Sequence, residues 1–127
     1  MKKIIIIMVF LLGVKGFSQN KNAKLTLEVD GVCNMCKDRI EAACVKTKGI
    51  KAADWNVETH ELKLIYNENV IDIETIKKSI VAVGHDTEEM KASDEAYNNL
   101  HDCCKYRDEE IILDHEGSIK KQKKKTE

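Results

Sequence analysis

Lys24-Leu25-Thr26-Leu27-Glu28-Val29-Asp30-Gly31-Val32-Cys33-Asn34-Met35-Cys36 is the stretch that decides the fold. Its first six residues alternate strictly and put Leu25, Leu27 and Val29 on one face, the pattern of a half-buried strand. Asp30-Gly31 breaks the alternation, and two thiols three residues apart follow. Residues 34–48 then carry Ile40, Ala43, Cys44 and Thr47 along one helical stripe. Lys46 and Lys48 near its end suit the helix dipole, and Gly49 stops it. The thiol pair therefore sits where a strand gives way to a helix.

Downstream, residues 50–57 read as a second strand with Ala53, Trp55 and Val57 on one face. Residues 58–61 are a turn, and residues 62–66 a third strand with Leu62, Leu64 and Tyr66 facing one way. Asp72 is a good N-cap for a second helix carrying Ile73, Ile76, Ile80 and Val83, closed by Gly84. Residues 87–91 are expected to be a short last strand. The order βαββαβ over residues 23–91 predicts an α+β, ferredoxin-like sandwich: a four-stranded antiparallel sheet with two helices on one face. With no proline and two phenylalanines in the whole chain, the core is expected to be aliphatic.

A thiol pair at a helix N-terminus has a physical logic. Unpaired backbone N–H groups and the helix dipole favour thiolate over thiol. Two such thiolates in one loop converge on a single soft ion, Cu(I) above all, with Zn(II) as competitor and Hg(II) softer still. Taken alone, C-x-x-C also fits a structural zinc site, a structural disulfide or a thiol–disulfide active site. The missing proline argues against the last, since thioredoxin-like enzymes place a cis-proline beside the disulfide. No phosphate-cradling glycine loop, Ser/His/Asp order or paired-carboxylate signature stands out, so a non-enzymatic protein is expected.

Residues 24–91 resemble the heavy-metal-associated domain family, which includes copper chaperones, metal-binding modules of copper-transporting P-type ATPases and periplasmic mercuric-ion-binding proteins. The resemblance rests on Gly31-Val32-Cys33-Asn34-Met35-Cys36, Ile40, Gly49-Ile50 and Val83-Gly84-His85. It implies that Cys33 and Cys36 hold the metal and pass it by ligand exchange to a membrane metal transporter or efflux component. It also makes His85 a candidate ligand or neighbour of the metal, because this turn tunes the site in the family; the alternative is an exposed loop histidine. His60, in the hairpin turn, reads as exposed. The family's usual Gly-Met-Thr-Cys-x-x-Cys is one residue longer before the first cysteine. The loop's packing methionine is absent here, and Met35 either replaces it or faces the metal as a thioether.

Residues 1–18 read as a signal peptide: Lys2 and Lys3, an apolar run of nine residues from Ile4 to Leu12, then a small, mildly polar stretch before Gln19. The run is short of the about 20 residues a membrane span needs. A periplasmic or secreted location is expected, with no stable membrane insertion after cleavage. Removing this segment leaves 18 basic and 22 acidic residues, a charge of −4, which argues against nucleic acid as a partner.

All five cysteines follow the leader. Cys44 lies on the apolar stripe and reads as a core residue. Residues 92–107 read as a helical extension, with Ser93 as a cap and Tyr97, Leu100 and Cys104 on one side. Three readings of Cys103 and Cys104 stay open: added ligands for the Cys33/Cys36 site, a second site with His101, or disulfides that pin the tail. Residues 108–127 are charged apart from Ile111-Ile112-Leu113, and are expected to be a disordered tail.

Overall fold

The structure, a computed structural model, describes residues 19–126. The proposed leader lies outside the described residues. Strands β1 (Ala23–Glu28), β2 (Ile50–Trp55) and β3 (Glu61–Tyr66) form an antiparallel sheet of order β1-β3-β2. Leu25 and Leu27 of β1 stand opposite Leu64 and Leu62 of β3, and Ala53 and Trp55 meet the same two leucines from β2. Cross-strand partners share a face, so the alternation builds one apolar surface.

Helices α1 (Asn34–Lys46) and α2 (Ile73–Val81) pack on this surface through Ile40, Cys44, Ile76 and Ile80, all fully buried. The Asp72 carboxylate caps α2, accepting the Thr75 N–H at 2.7 Å. The core is not purely aliphatic: Trp55 is its largest fully buried side chain, and Tyr66 and Tyr106 join it.

The expected fourth strand is a correction. Its place beside the free edge of β1 is taken by a single antiparallel bridge, Val29 to Thr87, and by Asp30 N–H donating to the Asp86 carbonyl at 2.9 Å. Beyond that bridge the Thr87 N–H turns to the Met90 carbonyl at 2.7 Å, and its hydroxyl accepts the Met90 N–H at 3.0 Å. A chain whose donors and acceptors close on a tight turn has none left for a ladder.

The extension folds back onto the domain. It comprises α3 (Asp94–Asn98), a 3₁₀ turn (Asp102–Cys104) and α4 (Glu109–Thr126). Ser93 caps α3 as expected, accepting the Ala96 N–H at 3.2 Å. Residues 109–126 are helical where composition predicts disorder. Glu109 and Glu110 occupy the first turn and Lys123, Lys124 and Lys125 the last, both favourable to the helix dipole. Ile111 and Ile112 pack against the core, and Lys123 pairs with Glu58 at 2.9 Å. Among the described residues no helix is long and apolar enough to cross a membrane.

Two adjacent residues anchor the extension. The Tyr106 hydroxyl donates to the Gly84 carbonyl at 2.7 Å and accepts the Asp86 N–H at 3.0 Å. Arg107 grips both Asp86 carboxylate oxygens, at 2.8 and 3.3 Å, and donates to the Ala92 carbonyl at 3.1 Å. Burial opposes ionisation of Asp86, yet the Arg107 guanidinium and the Ala92 N–H outweigh it and hold the carboxyl below its usual range. The stability this adds is present above about pH 4 and is lost as pH falls through the lowered Asp86 value.

Tyr106→Phe removes the hydroxyl and leaves a buried N–H and a buried carbonyl unpaired. Urea denaturation is expected to show a loss of about 1–3 kcal/mol; an unchanged midpoint would show that the hydroxyl does not anchor the extension.

Candidate metal centre

Cys33 is the N-cap of α1, with extended backbone (φ −148°, ψ 175°) and no side-chain cap bond. Its thiol is therefore free to face the Cys36 thiol one turn on, at 3.6 Å. The Val32 N–H points at Cys36 Sγ from 3.5 Å. The loop is seated on Trp55: a Cβ on Gly31 would lie 2.9 Å from the indole ring, and the Trp55 ring N–H donates to the Val29 carbonyl at 3.0 Å. Only glycine fits that approach. Val32 is buried where the family's packing methionine is missing.

The extension brings further sulfur to the loop. Cys104 Sγ, fully buried, lies 3.6 Å from Cys33 Sγ. Cys103 Sγ lies 4.0 Å from Cys104 Sγ and 3.3 Å from the Met35 thioether sulfur. The ligand atoms of Cys33, Cys103 and Cys104 are all within 4.8 Å of one another. These separations exceed the roughly 2.05 Å of a disulfide, and all five cysteines are free. The extension places both cysteines near Cys33, Cys104 in contact with its thiol and Cys103 beyond Cys104; His101 is exposed and stands outside the thiol group. Met35 is 45 % exposed, so it does not replace the buried loop methionine.

The thiols differ in acidity. Burial opposes ionisation of Cys33, but the Cys36 N–H and the Cys36 and Cys104 thiols more than compensate, and its pKa falls below the ordinary thiol value. Burial raises Cys36, with the Cys33 charge adding to it. Burial, then the neighbouring Cys36 and Cys33, push Cys104 far up. Cys33 is thus the most acidic of these three thiols and Cys104 the least. Cys44 is separate: fully buried on the core side of α1 and raised to about 11 by burial and by Glu41, it is a core residue.

His85 is fully buried rather than an exposed loop histidine. Its Nδ1 bonds the Asp30 carbonyl at 2.8 Å, and its ring stacks on Tyr106 at 5.4 Å between centroids. Burial lowers its pKa, so the ring is neutral. Its Nε2 is buried without a hydrogen-bond partner, and the histidine is not among the clustered metal-ligating groups. His60, half-buried, stacks on Trp55 at 5.7 Å. Sequence reasoning missed Tyr106 and Arg107; their position two and three residues after Cys104 was the available signal.

A family model for the heavy-metal-associated domain matches residues 26–86. The copper chaperone CopZ of Staphylococcus aureus (strain JH9) is 30% identical over 61 residues, 47% of this chain and 90% of that protein. Among solved structures, a CopZ metallochaperone aligns with a TM-score of 0.50 at 27% identity, covering 51% of this chain and 98% of its own. A copper binding domain from HMA7, a P-type ATPase, aligns with a TM-score of 0.50 at 26% identity, covering 51% and 89%. The family segment ends at residue 86, so Cys103, Cys104, Tyr106 and Arg107 lie beyond it.

Alkylation with iodoacetamide across a pH series, read by mass spectrometry, is expected to modify Cys33 with a midpoint below that of a free cysteine. Cys44 should react only near pH 11 or after unfolding. A Cys33 midpoint above the free value would contradict the acidity order.

Proposed function

Because this chain belongs to the heavy-metal-associated domain family, we propose that it is an exported, non-enzymatic carrier of a soft metal ion, with Cu(I) as the cargo. The observation that carries this reading is the position of Cys33 Sγ, 3.6 Å from both Cys36 Sγ and Cys104 Sγ. Two thiols that each reach a third, Cys33, suit a soft cation that accepts two or three sulfur ligands. Cys33, ionised first, captures the ion; Cys36 and then Cys104 close on it, each releasing its proton to solvent. Cys33 is half-buried, so a partner's thiolate reaches it and displaces the chain's own sulfurs in turn.

His85 positions rather than ligates in this reading. Its Nδ1–H fixes the Asp30 carbonyl, one residue from Gly31, and so braces the loop that carries Cys33. A membrane metal transporter is the proposed acceptor; support comes from the similarity to a domain described as belonging to a P-type ATPase. Export rests on the charged, apolar and small-residue order of residues 1–18. In an oxidising compartment the carrier works only while its thiols stay reduced.

Zn(II) is the second reading, because four thiols are also a structural zinc donor set. Hg(II) would need only two of them.

Anaerobic titration of the reduced protein with Cu(I) against a competing chelator is expected to give tight binding that is abolished in the Cys33→Ser/Cys36→Ser double variant. Cys104→Ser is expected to weaken it by at least about tenfold. Binding that ignores the double variant, or Zn(II) that Cu(I) fails to displace, would overturn the proposal.

A further inference from the structure

The sulfurs at this site form an elongated cluster, with Cys33, Cys103 and Cys104 mutually within 4.8 Å and Cys36 and Met35 at its two ends. In spatial order they run Cys36, Cys33, Cys104, Cys103, Met35, with successive separations of 3.6, 3.6, 4.0 and 3.3 Å. Four sulfurs around one tetrahedral ion, with metal–sulfur bonds of about 2.3 Å, all stand about 3.8 Å from one another. Here Cys36 falls outside the group of thiols mutually within 4.8 Å. One ion at the Cys36 end therefore leaves the Cys103–Met35 end unused.

That far end has its own donor character. Met35 keeps a large apolar side chain 45 % exposed at the start of α1, and the Cys103 thiol donates to its sulfur at 3.3 Å. A thiol and a thioether are both soft donors, better suited to a soft cation than to a hard one. Cys103 is also held in place: the His115 ring Nε2, from α4, bonds the Cys103 carbonyl at 3.0 Å.

We infer that the site takes two Cu(I) ions per chain, the second held by Cys103 and Met35 with Cys104 as the thiolate shared between the two. This rests on the proposed Cu(I) reading of Cys33 and Cys36 and extends it. Charge does not oppose it: one Cu(I) on three thiolates leaves a net charge of −2, and a second ion that also ionises Cys103 leaves the same −2. Each new metal–sulfur bond at a cysteine forms with loss of that thiol's proton to water. No electron moves, and Met35 contributes a neutral lone pair. The extension then does more than complete the family's loop; it doubles the load.

The test is native mass spectrometry of the reduced, monomeric protein titrated anaerobically with Cu(I), in parallel with Cys103→Ser and Met35→Leu. Both changes conserve volume at half-exposed or exposed positions, and circular dichroism checks the fold. The wild type is expected to fill to two ions per chain. Cys103→Ser should stop at one, and Met35→Leu should bind the second ion at least about tenfold more weakly. Affinity for the first ion should change less than about twofold in either. A wild type that stops at one ion, or a second ion retained in both variants, overturns the inference and leaves the Cys33/Cys36 carrier standing. Failure to bind any ion overturns both.

Discussion

The grip of Tyr106 and Arg107 on residues 84–86 is the constraint on which the site depends. The turn after α2 offers a buried carbonyl at Gly84, a buried N–H at Asp86 and the nearly buried Asp86 carboxylate. Left alone, these would be costly to bury. One tyrosine hydroxyl and one guanidinium satisfy all of them, and in doing so fix the chain two residues after Cys104. The same tyrosine stacks on His85, which in turn holds the Asp30 carbonyl ahead of the metal loop. The loop and the extension are thus two sides of one buried polar network.

Seen from that network, the chemistry of the thiols follows. Cys33 lies at a helix N-terminus with several donors and ionises readily; Cys104 lies in the interior beside two other thiols and does not. In the proposed carrier this contrast lets Cys33 capture the ion and the other thiols ionise as they join it. Met35 is exposed and Cys33 half-exposed, which would give a partner's ligands a route in the proposed exchange.

How much of this was legible in the sequence depended on the range of each interaction. The strand alternation, the helical stripe and the Cys33/Cys36 pair are local patterns, and the three strands and two helices of the domain appear where periodicity put them. Cys104 meets Cys33 across 71 residues, through contacts of Tyr106 and Arg107 that have no periodicity. The last strand was misread because apolar and polar residues do not reveal that the Thr87 N–H closes on Met90. The tail was misread because composition counts charges without their order; acids first and lysines last is a helix pattern. His85 was placed in the right loop, but its burial depends on Tyr106, which belongs to another part of the chain.

The central claim is that Cys104 enters the same coordination shell as Cys33 and Cys36. X-ray absorption spectroscopy of the protein loaded with one equivalent of Cu(I) reads that shell directly. The account predicts three sulfur neighbours in the wild type and two in Cys104→Ser. Two sulfur neighbours in both proteins would contradict it.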